Sequence, residues 1–117
     1  MCRTTWVFRL TAVLIFFSVV FPDLHAAAAA AHKQTFTGEV GDAMCGRKHM
    51  DGTPAECTRS CVAHGSKYAL VIGEKIYILD TDDKAALAML DKQAGKNATV
   101  TGVLNGDTIE VSSVAAR

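Results

Sequence analysis

Three cysteines and two histidines fall within the twenty residues from Cys45 to His64, CGRKHMDGTPAECTRSCVAH. Cys45 and His49 form C-x3-H, and Cys57 and Cys61 form C-x3-C. Three thiolates and one imidazole make a tetrahedral donor set of the kind that holds zinc. Met44 and Met50 flank the run, and soft sulfur donors suit copper(I) equally well. The expected ligands are therefore Cys45, His49, Cys57 and Cys61, with His64 as an alternative nitrogen ligand.

The same thiols admit two other chemistries. In an exported chain, cysteines commonly pair as disulfides. Cys57 and Cys61 are poor partners for each other, because Cβ atoms at i, i+4 on a helix stand about 5–6 Å apart. A disulfide needs about 3.5–4.5 Å. The natural bridge joins Cys45 to either of them, closing a loop of about 12–16 residues and contributing about 3 kcal/mol in the chain-entropy model. One thiol is then left over. A thiol-redox enzyme is a weaker expectation. Cys57 sits in a first helical turn, where the helix dipole lowers a thiol pKa, but the C-x2-C spacing and βαβ frame of thioredoxin-like sites are absent. The haem-attachment motif C-x-x-C-H is absent as well.

The elements that must position these residues follow from local chemistry. Thr53, Pro54 and Glu56 spell a capping box with proline at the first helical position, and Gly65 closes the helix. Cys57, Cys61 and His64 then share one face. On either side the periodicity is that of strands. Thr35–Val40 alternates, with Gly38 and Gly41 marking a bend or bulge. Tyr68–Ile72 and Lys75–Leu79 are joined by Gly73-Glu74, a type II′ hairpin signature. Asn97–Leu104 and Asp107–Val114 are joined by Asn105-Gly106. Between these hairpins, DDKAALAMLDKQ predicts a helix capped by Thr81 or Asp82, with Ala86, Leu87 and Leu90 as its apolar stripe. The acidic group Asp80, Asp82 and Asp83 is read as capping and dipole chemistry rather than a calcium site. Five strands with a helix between the third and fourth predict an all-β domain with one or two short helices, a small five-stranded OB-like Greek-key barrel. An open antiparallel meander with one packed helix is the alternative. The cysteine-bearing insert, 43–66, joins the first two strands.

Residues 1–26 have the three parts of a secretory signal: Arg3 and Arg9, the apolar run Leu10–Phe21, and small residues around Ala26. The apolar run is shorter than the roughly 20 residues a spanning helix needs, so no membrane association is expected after cleavage. Residues 27–34 are read as a flexible N-terminus and 35–117 as a single domain. Periplasmic or secreted localisation follows, and Cys2 leaves with the signal. Without Arg3, Arg9 and Asp23, ten basic residues face eleven acidic ones, and the aromatics are Phe36, Tyr68 and Tyr77. A domain this small, with so few aromatics, benefits from a disulfide or a metal.

The runs C-G-x-x-H-M, C-x-x-x-C-V-x-x-G-S-K-Y-A-L-V-x-G-x-K-I-Y-x-L and V-T-G-x-L-x-G-D-T-I-x-V lie within 35–114 and are most specific from Cys45 to Leu79. They resemble a family of small exported bacterial proteins classed as a domain of unknown function. More loosely, the chain is similar to periplasmic bacterial OB-fold proteins. The resemblance implies an exported barrel-like module and brings no activity with it. OB-folds often bind nucleic acid, but a charge near zero gives no footprint for phosphates, and three aromatics offer little for base stacking. The expected function is a non-enzymatic exported binding module whose Cys/His cluster holds zinc or copper. The alternative is a disulfide-stapled module whose partner is a small ligand or a protein.

Overall fold

Strand β1 (Lys33–Asp42) is ten residues long, and its two halves pair with different strands in the computed structural model, which describes residues 31–50 and 52–117. The proposed signal and the start of the flexible segment lie outside the described residues. Strand β1 starts two residues ahead of the Thr35 expected from the alternation. Helix α1 (Pro54–Ala63) follows, then β2 (Tyr68–Ile72), β3 (Lys75–Asp80), α2 (Lys84–Lys92), β4 (Asn97–Asn105) and β5 (Thr108–Ala116).

The first half of β1 pairs antiparallel with β4, from Lys33↔Val103 to Glu39↔Asn97. The second half pairs antiparallel with β2, from Glu39↔Val71 to Asp42↔Tyr68. Strand β3 continues from β2, and β5 joins β3 in parallel through Leu79↔Ile109. The hydrogen-bonded order β1-β2-β3-β5-β4 therefore closes on itself. The chain is a mostly β fold, a five-stranded mixed sheet in a ring with two helices. The open antiparallel meander does not hold. A meander would pair each strand with its sequence neighbours, whereas α2 carries the chain across so that β3 meets β5 rather than β4.

The ring encloses Val40, Leu70, Leu79, Ala98, Val100 and Ile109, one inward residue at a time along each strand. Helix α2 adds Ala86 and Leu90, the latter fully buried. Its cap is Asp83, whose carboxylate accepts from the Ala85 and Ala86 amides, not Thr81 or Asp82. Leu87 of the expected stripe stays at the surface. The β4–β5 turn is also displaced by one residue. Asn105 is still paired to Thr108, so Gly106-Asp107 forms the turn. Gly106 takes the positive φ of 61° that this turn needs at its first central position.

Helix α1 is bounded by its own end signals and packs against β1. The Thr53 hydroxyl accepts from the Glu56 amide, and the Glu56 carboxylate accepts from the Thr53 amide at 2.9 Å. Gly65 follows the helix at a φ of 100°. The N-terminus of α1 lies on Gly95, where a Cβ would come within 2.7 Å of the Ala55 amide nitrogen. Only glycine leaves room for that approach, and the Gly95 amide donates to the Val40 carbonyl at 2.8 Å. Strand β1, the α2–β4 connection and the start of α1 are thus locked together.

Candidate metal centre

The last residue of β1 begins the site. Asp42 is fully buried, paired with Tyr68 across the ladder. Its Oδ2 accepts from the backbone amides of Met44 at 3.0 Å and Cys45 at 2.9 Å. The Asp42 carbonyl accepts from Gly46. This tight turn, with Gly46 at a φ of 56°, folds Cys45 back over the end of the sheet. Helix α1 meets it from the other side with Cys57 and Cys61, one turn apart on one face.

The result is a cluster in which one carboxylate oxygen of Asp42 and the sulfurs of Cys45, Cys57 and Cys61 all lie within 4.8 Å of one another. Cys45 Sγ and Cys61 Sγ are 3.5 Å apart. A disulfide would hold them at about 2.05 Å, so this pair is not bonded, and Cys45, Cys57 and Cys61 are all unpaired in this structure. With zinc–sulfur bonds of about 2.3 Å, the edge of a tetrahedral site is about 3.8 Å. The observed separation is close to that edge.

The electrostatics of the cluster are one-sided. The hydrogen bond to Cys45 pushes the Cys61 thiol up to about 12, helped by burial and the negative charge of Asp42. For Cys45 the hydrogen bond from Cys61 acts downward, but burial, the bond to Cys57 and Asp42 outweigh it and the thiol is raised. Cys45 and Cys61, raised in this way beside a carboxylate, do not ionise readily without a compensating positive charge. Among the described residues the ion pairs are His49–Glu39, Arg59–Asp91 and Lys67–Asp80, and none supplies that charge to the cluster. Oδ1 of Asp42 is buried and has no hydrogen-bond partner among the described residues.

Cys45, Cys57 and Cys61 line an open cavity of about 350 Å³. Met50, Glu56 and Ser60 form its sides. Cys57 is 7 % exposed, whereas Cys45 and Cys61 are partly accessible.

Of the ligands expected from spacing, the three cysteines come together and the histidines do not join them. His49 Nε2 lies 3.5 Å from Glu39 Oε1, in a separate polar hollow with Arg47 and Asn97. His64 is the exposed C-cap of α1, its Nδ1 2.7 Å from the Ser60 carbonyl oxygen. The fourth group at the cluster is instead the carboxylate of Asp42, which sequence reasoning missed. Its signal was local: an aspartate three residues before a cysteine, in G-D-A-M-C-G, where an Asx-type turn brings carboxylate and thiol together. Met44 is largely exposed, and only Met50 lines the thiol cavity.

Comparison with protein-family models, curated proteins and solved structures finds no match to this chain.

Proposed function

We propose that this protein binds one thiophilic metal ion through Cys45, Cys57, Cys61 and Asp42. The observation that carries the reading is the convergence of three free thiols and a buried carboxylate within 4.8 Å. The set has the donor number and chemistry of a tetrahedral zinc site. Zinc is favoured over copper(I), because the soft monovalent ion prefers sulfur donors and gains little from a carboxylate. Bound zinc would supply the missing positive charge and hold the thiols as thiolates.

The frame proposed for this site is an OB-like barrel, supported by the closed order β1-β2-β3-β5-β4 and the helix between β3 and β4. Export to the periplasm or beyond is part of the proposal, supported by the charged start, apolar run and small residues of 1–26.

Elemental analysis of the reduced chain, purified with zinc and freed of excess, tests the reading. One zinc per chain is expected, with loss of binding in Cys45→Ser. Unchanged metal content in that variant contradicts it. Replacing zinc by cobalt(II) adds a spectroscopic check, since thiolate coordination gives an intense near-ultraviolet charge-transfer band.

A further inference from the structure

We propose that the centre is redox-gated: a disulfide oxidant joins Cys45 to Cys61, and the metal ion leaves. This rests on the metal reading above and assigns it a form of regulation.

Geometry selects the pair. Cys45 Sγ and Cys61 Sγ already stand 3.5 Å apart, and closing them to a bond requires an approach of about 1.5 Å. Cys57 and Cys61 are held one helical turn apart, where their Cβ atoms are too distant to pair. Accessibility selects the same two. Cys45 and Cys61 are partly exposed beside the open cavity, while Cys57 is buried. The link would join the β1 end to the last turn of α1, two elements already held by the Ser66 amide to Cys61 carbonyl bond and the Ala43 amide to Lys67 carbonyl bond. Two of the three sulfur donors are then consumed. Cys57 and Asp42 remain, too few for a site that requires four ligands.

The step balances with a small disulfide as oxidant. The Cys45 thiolate attacks one sulfur of the oxidant, and the other sulfur leaves as a thiolate. The Cys61 thiolate then attacks the Cys45 sulfur of the mixed disulfide and expels the second thiolate. Two protein thiolates lose two electrons, and the oxidant's S–S bond gains them. The released thiolates take protons from water, and the metal cation passes to solvent. A dithiol reductant reverses the sequence and restores the site.

The test uses the reduced, zinc-loaded chain exposed to oxidised glutathione without oxygen. A chromogenic chelator follows zinc release, and peptide mass analysis after alkylation without reduction maps the cross-link. The expected result is a Cys45–Cys61 bond, an alkylated Cys57, and loss of zinc in proportion to cross-linking, all reversed by a dithiol. Each of the next two variants lacks a proposed zinc ligand and is oxidised metal-free: Cys61→Ser is expected to stop at a glutathione adduct on Cys45, and Cys57→Ser to form the Cys45–Cys61 bond. A Cys45–Cys57 bond, or adducts without an internal bond, overturns the assignment. A chain that loads zinc and keeps it after cross-linking overturns the gate alone. A reduced chain that takes up no zinc overturns the metal reading and the gate with it.

Discussion

Helices α1 and α2 are nearly the same length and both begin with a side-chain cap, yet they bury opposite kinds of residue. Helix α2 presents Ala86 and Leu90 to the ring and packs against β5. Helix α1 packs against β1 and buries Cys57 and Thr58. The difference extends to their surroundings. Among the described residues, the buried side-chain polar atoms without a partner are Asp42 Oδ1, His49 Nδ1 and Thr58 Oγ1. All three lie in or beside the insert. Of the described residues, the two most exposed large apolar side chains, Met44 and Met50, lie there as well. Buried polar atoms are normally satisfied, and local rules tend to be broken where a function requires it. One helix completes the scaffold, and the other carries two of the three clustered thiols.

That contrast is broken most forcefully at Leu90. Leu90→Ala should lower stability by about 2–5 kcal/mol, measured by urea unfolding, while the folded fraction still binds zinc. If the variant unfolds no more easily than the parent, α2 is not the packing helix. Next in size is the effect of the metal. A zinc concentration a hundredfold above Kd should stabilise the reduced chain by about 2.7 kcal/mol, read as a chelator-reversible rise in Tm. Asp42→Asn should weaken zinc binding by more than about tenfold; equal affinity would remove Asp42 from the ligand set. Smaller again is Thr53→Ala, which deletes the cap of α1 at a cost of about 1 kcal/mol, measurable by denaturation of the metal-free protein.

The smallest effect is one of pH. Glu56 is held below its usual range by the Thr53 amide and hydroxyl, with Arg59 assisting. Because its folded pKa is depressed, its contribution is present above the unfolded value and fades as pH falls through the folded one. Glu56→Gln should flatten the acid limb of the stability profile. An unchanged acid limb would mean that the box does not couple α1 to the charge of Glu56.

The parts of the molecule that were legible in the sequence are those set by neighbouring residues. The capping box at Thr53–Glu56, the glycine stop at Gly65 and the Gly73-Glu74 turn are short-range chemistry, and each is found where its residues stand. The parallel β3–β5 pairing was not legible, because it depends on how α2 spans the end of the ring. The shift of the last turn to Gly106-Asp107 reflects the register that β4 and β5 adopt together. At the site, Cys57 and Cys61 were fixed by helical period. His49 was not, because a C-x3-H spacing in a loop leaves the imidazole direction undetermined, and Glu39 on β1 captures it. Asp42 lies just past the Thr35–Val40 alternation, and although its Asx-type turn is a local signal, its burial beside the three thiols comes only with the tertiary fold.

Native mass spectrometry of the reduced chain, titrated with zinc, decides whether the thiol cluster is a metal site. One zinc per chain is expected, with a mass showing that zinc binding has displaced protons, and loss of that complex when Cys45, Cys57 or Cys61 is replaced by serine. A reduced, folded chain that remains metal-free with three alkylatable thiols would contradict it.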